Sequence, residues 1–437
     1  MTELNKLCYD AVDVKMMNLV RIAVGLVFAA PLVALPRLNG ADVLPPGKAA
    51  EAGAYEVKTT VFRELMSKSR PDRHLPVRVH FPSAQGSWPV VIFSHGGGGN
   101  MDSSYAQARH LASHGYMVCC VEHVGSSADR LKGKGKLWDS LRDMTRDREE
   151  VLGRPVDIKE VLDQVELWNG GLDELWGKFD LDHVAVVGHS FGAYTALVVC
   201  GARPALNWLE RSTVQALRPD KDFLKTRTGK GLGPSLSDPR VRVGIALSPP
   251  GPGEPFFLDE SFASIDRPVL GISGSEDRQP GVDPAIRKKF IDLTPSAGTL
   301  LLWLQGADYT SFSDPTGSGQ SAVPSASRES VQPLSRAATL YFLDAYLKGR
   351  KEGLALLKDK AFCSLAGPKV SQVEVMERRP APVEKSAASA AGSATGMGNG
   401  SGAGAGPETK GAEPNQSESS KPFRLRDLLG GVRKRES

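Results

Sequence analysis

A serine in a short glycine-flanked motif is the residue of this chain best suited to covalent chemistry. The segment 188–192 reads GHSFG, the G-x-S-x-G spacing in which a sharp turn exposes a serine hydroxyl between a buried strand and a helix. The apolar run 184–187 precedes the motif, and the stretch 193–199, free of glycine and proline, follows it. This context predicts a strand, a turn and a helix, with Ser190 as the nucleophile.

A second segment could supply groups that stabilise negative charge. The β-branched run 89–93 leads into 94–100, which reads SHGGGGN. A glycine-rich turn lets backbone N–H groups approach an oxyanion closely, and no Gly-Lys-Ser/Thr follows that would indicate a phosphate loop. We therefore predict an oxyanion hole here. Its predicted donors are the backbone N–H groups of His95, Gly96, Gly97 and Phe191.

The acid that would orient a catalytic base follows another predicted strand. The apolar run 268–272 ends in SGSED, and we predict Asp277 as the acid, with Glu276 as the less favoured choice. In a parallel sheet of this kind the partners follow in the order serine, acid, histidine. All eight histidines lie at or before His189, so none remains for the last place.

From about residue 73 to 365 the chain resembles the predicted dienelactone hydrolase and platelet-activating-factor acetylhydrolase-like branch of the α/β-hydrolases. The resemblance rests on the elbow motif and on five further segments. These are FSHG at 93–96, LASHGY at 111–116, VEHVGS at 121–126, RPVDI at 154–158 and SPPGPG at 248–253. It implies an α/β fold with a mostly parallel central sheet and helices on both faces, and it implies a serine carboxylic ester hydrolase.

The resemblance also indicates where the histidine should stand. In that family it follows a strand in a Gly-Ala-x-His-x-Ser-Phe context, and here the run 300–304 leads to GADYTSF, with Tyr309 at the histidine position. A phenol titrates near about 10 and an imidazole near about 6.5, so a tyrosine is a poor base at neutral pH. Loss of a triad base costs about four to six orders of magnitude in turnover. The sequence predicts weak or no ordinary esterase activity.

Other groups could replace the missing base. His123 is the best substitute, because the resemblance puts its loop near the pocket; His95 and His189 are less suited, and each of the three could instead pack or orient a loop. Asp308 is too weakly basic unless it is buried. His110 and His114 have a spacing that can share a metal, but no third ligand is evident. No metal or organic cofactor is implied.

Two functions remain open at this point. The first is an exported, acetylhydrolase- or lipase-like ester hydrolase with an incomplete triad and weak or atypical turnover. The second is an inactive pseudo-hydrolase that binds a lipid, ester or protein ligand in the retained pocket. Either reading implies a small ester or lipid as substrate or ligand.

Length and charge fit one enzyme-sized domain with tails. The chain has 437 residues, and we predict a hydrolase domain over 55–376 with a charged insertion at about 127–152. The net charge of +4 gives no broad basic field, which argues against a nucleic-acid partner. Five cysteines, two of them adjacent in an apolar run, indicate buried thiols more than a disulfide framework.

Both ends of the chain differ from the domain. The apolar stretch 22–35 follows basic residues and is too short for a full span, which predicts a signal peptide or N-terminal anchor over 1–40 and export to the periplasm or exterior. The Ala, Gly, Ser and Pro-rich segment 378–421 predicts a disordered linker. The basic tail 422–437 has helical apolar spacing that could dock on a membrane surface.

Overall fold

The computed structural model describes residues 43–378, except for 133–135, 172–173, 206–230, 254 and 316–323. The predicted signal or anchor segment and the basic tail lie outside the described residues, as does the predicted linker apart from Arg378. All helices and strands named below belong to the compact unit that begins at Leu44.

Strands and helices alternate through most of the described chain. The strands are β1 Val57–Phe62, β2 Val77–Pro82, β3 Trp88–Ser94, β4 Met117–Val121, β5 Phe179–His189, β6 Val241–Leu247, β7 Val269–Glu276, β8 Leu300–Asp308 and β9 Gln372–Glu377. The α-helices are α1 Pro46–Ala50, α2 Tyr105–Ser113, α3 Leu137–Thr145, α4 Arg148–Asn169, α5 Phe191–Val199, α6 Lys289–Leu293, α7 Arg328–Leu347, α8 Gly353–Leu356 and α9 Lys360–Cys363.

The strands form one mixed sheet in the order β1-β2-β4-β3-β5-β6-β7-β8-β9. The six strands from β4 to β8 in that order run parallel, whereas β1, β2 and β9 pair antiparallel at the two sides. The parallel strands contain the continuous apolar runs of the sequence, and most of their residues are buried. Such runs are typical of strands covered on both faces.

Helices cover the sheet on both faces. Helices α4 and α5 contact each other and the sheet, and α2 and α7 form a second set that does the same. The predicted fold class, an α/β-hydrolase fold with a mostly parallel sheet, is confirmed. Part of the predicted charged insertion forms helix α3, on which Leu141 and Met144 are buried. Across the described residues, no helix is both long and apolar enough to cross a membrane.

Strand register brings the predicted site segments to one edge of the sheet. Ser94 at the end of β3 pairs with Gly188 near the end of β5, so the glycine-rich turn begins beside the serine motif. Glu276 at the end of β7 pairs with Asp308 at the end of β8. The carboxyl ends of parallel strands are where open α/β sheets place their sites.

Candidate active site

Ser190 lies on a strained turn between β5 and α5. Its backbone has φ 55° and ψ −111°, a conformation that a non-glycine residue holds only where the surroundings enforce it. A Cβ on Gly188 would overlap the carbonyl oxygen of Gly192, and a Cβ on Gly192 would overlap that of Ser94. The two glycines of the motif are therefore required by close backbone packing, and the turn leaves the Ser190 side chain partly exposed.

The glycine-rich turn lies against Phe191, the residue that follows Ser190. A Cβ on Gly97 would stand 4.0 Å from the ring of Phe191. Gly98 donates its N–H to the Ser126 carbonyl at 2.8 Å, which fixes the far side of the turn. Among the described residues, no hydrogen bond engages the backbone N–H groups of Gly96, Gly97 or Phe191. These are the groups that an oxyanion hole needs.

Tyr309 contacts Ser190, the predicted nucleophile, directly. It begins the turn after β8, its side chain is buried, and its hydroxyl donates a hydrogen bond to Ser190 Oγ. Its carbonyl accepts from His189 Nε2 at 3.1 Å, and its ring lies 6.1 Å from that of Trp138 on α3. The group that the structure brings to the Ser190 hydroxyl is therefore a phenol.

Asp277 is fully buried just past β7. Its carboxylate accepts from the Ser248 hydroxyl at 2.9 Å and from the Ser273 hydroxyl at 2.6 Å, and Arg287 lies 3.3 Å away. Burial raises the pKa of Asp277, against the charge of Arg287 and the two hydroxyl donors. Glu276, the less favoured choice, is half-exposed and pairs with Arg278 at the surface.

His123 lies in the interior, with both ring nitrogens engaged away from Ser190. Its Nε2 meets Ser94 Oγ at 2.9 Å and its Nδ1 meets Asp157 at 2.7 Å. Burial, followed by the charge of Arg154, holds the pKa of His123 well below its usual value. The structure therefore does not bring this predicted substitute base to the nucleophile.

The remaining alternative bases are also occupied. His95 Nδ1 donates to the Gly96 carbonyl at 2.6 Å, and burial lowers the pKa of His95. Burial lowers the pKa of His189 to about 4. For Asp308 burial favours the neutral acid, but hydrogen bonds from Ser327 and neighbouring hydroxyl groups outweigh it and lower the pKa. The lowered pKa of each group makes it a weaker base, and its hydrogen bonds to other residues engage it. Each is therefore a poor acceptor for the Ser190 proton.

Helix α3 covers the turn, which sequence reasoning did not foresee. Leu141 comes within 3.5 Å of a Cβ on Gly97, while Trp138 stays 37% exposed at the rim. A cavity of about 10 Å³, roughly the room of one water, lies beside the turn. It is lined by Gly96, Gly97, Gly99, Ser103, Ser104, His189 and Ser313. Apolar residues in 137–145 recur at helical spacing, and this pattern could have indicated a helix packed on one side.

Sequence reasoning also missed the role of the polar residues behind the turn. The segment RPVDI was noted only as part of a resemblance, yet Arg154 and Asp157 are fully buried and contact the glycine-rich turn and His123. For metals, the described part of the chain contains no group of three His, Cys, Asp or Glu side chains that could hold an ion. His110 and His114 instead each bond a backbone carbonyl.

The sheet order and the strained serine between β5 and α5 define an α/β-hydrolase. Comparison with known proteins narrows the class. The family model described as "Platelet-activating factor acetylhydrolase, isoform II" matches residues 55–133. Over these residues the chain is similar to platelet-activating factor acetylhydrolases, a family of α/β-hydrolases.

Individual relatives carry the same description. The platelet-activating factor acetylhydrolase of Canis lupus familiaris is 31% identical over 264 residues, which cover 52% of this chain and 48% of that protein. The protein of that name from Bos taurus is 24% identical over 259 residues, covering 52% of this chain and 48% of its own length. The one from Cavia porcellus is 24% identical over 262 residues, with shares of 52% and 54%. The chain thus spans about half the length of the curated relatives it matches.

Proposed function

We propose that this protein is a serine carboxylic ester hydrolase whose turnover is limited by the absence of a basic partner for Ser190. The observation that carries the proposal is the hydrogen bond from the Tyr309 hydroxyl to Ser190 Oγ on an otherwise intact elbow. The same interpretation is supported by Gly97, which lies beside the Phe191 ring, and by the N–H groups of both residues, which donate to no described residue.

The proposed chemistry is acyl transfer through the serine. Ser190 Oγ attacks the ester carbonyl carbon, and the carbonyl oxygen becomes an oxyanion that the N–H groups of Gly96, Gly97 and Phe191 stabilise. The Ser190 proton passes to solvent water, collapse of the intermediate breaks the ester C–O bond, and the alcohol leaves with a proton taken from solvent. Water then hydrolyses the acyl-serine and frees Ser190. The hydroxyl proton must leave as the new bond forms, and imidazole takes it in the usual triad. Tyr309 donates to the same oxygen instead, which lowers its nucleophilicity. We expect turnover about four to six orders of magnitude below that of a complete triad.

We propose that the substrate is a lipid ester with a small acyl group. The relatives are named acetylhydrolases of platelet-activating factor, which supports an ester with a small acyl group, carried on a lipid, as the substrate.

A second function is favoured by the same closure of the site. The Tyr309 hydroxyl donates a hydrogen bond to Ser190 Oγ, and the cavity beside the glycine-rich turn has a volume of only about 10 Å³. An inactive pseudo-hydrolase that binds a lipid, ester or protein ligand would need no base beside Ser190. The two functions differ in whether Ser190 forms a covalent adduct.

The experiment that separates them is labelling by a fluorophosphonate probe, with Ser190→Ala as the control. The probe phosphonylates a reactive serine hydroxyl with loss of fluoride, and it requires no turnover; without a base the reaction is slow. We expect slow labelling of the wild-type protein that is absent from Ser190→Ala. A folded wild-type protein that is not labelled after prolonged exposure would favour the binding function.

We also propose export, which the basic and apolar segment within 1–40 supports. The basic tail 422–437 supports a further proposal of docking on a membrane surface. Fractionation of cells that express the full chain, beside a variant lacking 1–40, tests export directly. We expect the full chain outside the cytoplasm or in the membrane fraction and the shortened variant inside.

A further inference from the structure

We infer that Arg154 is a positioning residue that holds the glycine-rich turn and the elbow helix in register, so that the oxyanion donors face Ser190. This inference rests on the proposed function for its catalytic consequence. The Arg154 side chain comes from α4, is fully buried and is the largest of the fully buried side chains. Within the described part of the chain, it contacts neither Ser190 nor a residue that lines the cavity, so it would act through other residues.

One end of the guanidinium holds the glycine-rich turn. Arg154 Nη2 donates to the carbonyl of His95 and to Ser94 Oγ, the latter at 3.2 Å. The His95 carbonyl and the Gly96 N–H belong to one planar peptide and point in opposite directions. By fixing that carbonyl, Arg154 also fixes the direction of the Gly96 N–H, one of the predicted oxyanion donors.

The other side of the guanidinium holds the elbow. Arg154 Nε donates to Thr195 Oγ1 at 3.2 Å, and Thr195 Oγ1 donates to the Phe191 carbonyl at 2.9 Å. The guanidinium carbon also lies 4.4 Å from the centre of the Phe191 ring. Phe191 supplies another predicted oxyanion donor, so a single side chain links both segments that form the hole.

A buried Ser–His–Asp chain supports this arrangement. Asp157 accepts from His123 Nδ1, and His123 Nε2 accepts from the hydroxyl of Ser94, whose oxygen faces Arg154. The backbone N–H of His123 also donates to His95 Nε2 at 3.0 Å. These three residues have the bonding order of a catalytic triad. However, Ser94 is fully buried and is engaged by the guanidinium, so the chain braces the turn.

Burial of the charged Arg154 side chain is unfavourable for folding, so a gain in stability does not explain its position. Burial lowers the pKa of Arg154 to about 9, and the charges of Glu150 and Asp157 oppose that effect. Ser126 links the guanidinium to Glu150, with contacts of 2.8 Å and 2.7 Å. A buried charge is weak evidence for stability, because desolvation offsets its attraction. The fork of five donors suits it to joining several acceptors at fixed directions.

Hydrogen exchange followed by mass spectrometry tests the inference on the full chain without relying on activity. We expect Arg154→Met to raise amide exchange about tenfold or more in peptides covering 94–100 and 188–195, while peptides from β7 and β8 keep the wild-type rates. Arg154→Lys should restore only part of the protection, because an ammonium group cannot join the same set of acceptors.

Arg240→Met is the matched control. Arg240 bridges Asp163, Glu166 and Asp238 at 2.7 to 2.8 Å, just before β6 and at the opposite sheet end from Ser190. We expect it to leave exchange at 94–100 and 188–195 unchanged. Equal exchange in these peptides for Arg154→Met and Arg240→Met would overturn the inference. If Arg154→Met does not fold, Thr195→Val removes one contact and keeps the charge, and unchanged exchange in that variant overturns it equally.

A kinetic measurement separates this inference from the proposed function. In a Tyr309→His background, Arg154→Met should lower kcat for an aryl ester about 10²-fold with little change in KM, the effect of a misplaced oxyanion donor. Raised exchange together with an inactive, unlabelled Tyr309→His protein supports the positioning role and contradicts the ester hydrolase function. A fall confined to KM contradicts the positioning role.

Discussion

Ser190 lies on a strained turn, and we expect the neighbouring side chain to determine how it reacts as the proposed nucleophile. A histidine would accept the proton of the Ser190 hydroxyl, whereas the Tyr309 hydroxyl donates a hydrogen bond to the same oxygen. An unperturbed phenol has a pKa near about 10, so it contributes almost no basic form at neutral pH. Reactivity at this residue should therefore be set by the oxyanion donors and by the turn.

Tyr309→Phe tests whether the phenol assists or restrains Ser190. The change removes the donor to Ser190 Oγ and keeps the ring, so we expect fluorophosphonate labelling at pH 7.5 to stay level or rise by about twofold to tenfold. The second-order labelling rate measures this, with Ser190→Ala as the blank. A fall of tenfold or more in a folded variant would identify the phenol as the working base.

Gly192→Ala tests the close packing of the elbow. A Cβ at this position overlaps the Ser94 carbonyl oxygen, which belongs to the backbone and cannot move aside. We expect a loss of about 3 kcal/mol or more in the free energy of unfolding, measured by urea denaturation. Gly47→Ala is the control, since nothing lies within 4 Å of its added Cβ and it stands within α1. A mild effect at Gly192 would mean that the turn is less tightly packed than described.

Helix α3 packs against the glycine-rich turn, and we expect it to limit access to Ser190. Leu141 anchors it over Gly97, and Trp138 stands at the rim beside the ring of Tyr309. Its apolar side is buried and its charged side faces solvent, so the helix is held mainly by packing. The acyl group of an ester would have to pass it or displace it.

Trp138→Ala should widen the site at low cost in stability, because the side chain is 37% exposed. We expect a long-chain fluorophosphonate to gain about threefold to tenfold in labelling rate relative to a short-chain one. Trp176→Ala is the control, as Trp176 is 62% exposed near the amino end of β5, far from the elbow. Equal chain-length selectivity in both variants would exclude Trp138 from the entrance.

Sequence pattern specified the elements better than their long-range contacts. The runs 89–93, 184–187, 268–272 and 300–304 each became a parallel strand, because uninterrupted apolar residues suit a strand buried on both faces. Strand order then brought the segments of Ser190, Asp277 and Tyr309 to one edge. The partners of Arg154 and the packing of α3 depend on side chains distant in sequence, which local periodicity does not encode.

The whole molecule buries several histidines in neutral form. Burial lowers the pKa of His80 and His110 to about 3 and that of His189 to about 4, and it holds those of His95 and His123 well below the usual value. The unfolded chain takes up protons on these groups near pH 6.5, while the folded protein does not. Folding stability is therefore full above about pH 6.5 and is lost progressively as pH falls toward about 3.

The melting temperature measured between pH 8 and pH 4 tests this linkage. We expect it to be level from pH 8 to about pH 7 and to fall steadily below about 6.5. His110→Gln keeps a donor for the Ala49 carbonyl and cannot be protonated, so its melting temperature should fall less steeply. Identical pH dependence in His110→Gln and the wild type would contradict a contribution from this histidine.

We propose that Ser190 is presented for acyl transfer and lacks only a proton acceptor. The most direct test is kcat/KM for a short-chain aryl ester at pH 7.5 in the wild type and in Tyr309→His, each corrected with Ser190→Ala. The account predicts a gain of about 10²-fold or more in Tyr309→His, the usual contribution of general base catalysis. A folded Tyr309→His protein with wild-type turnover would contradict it.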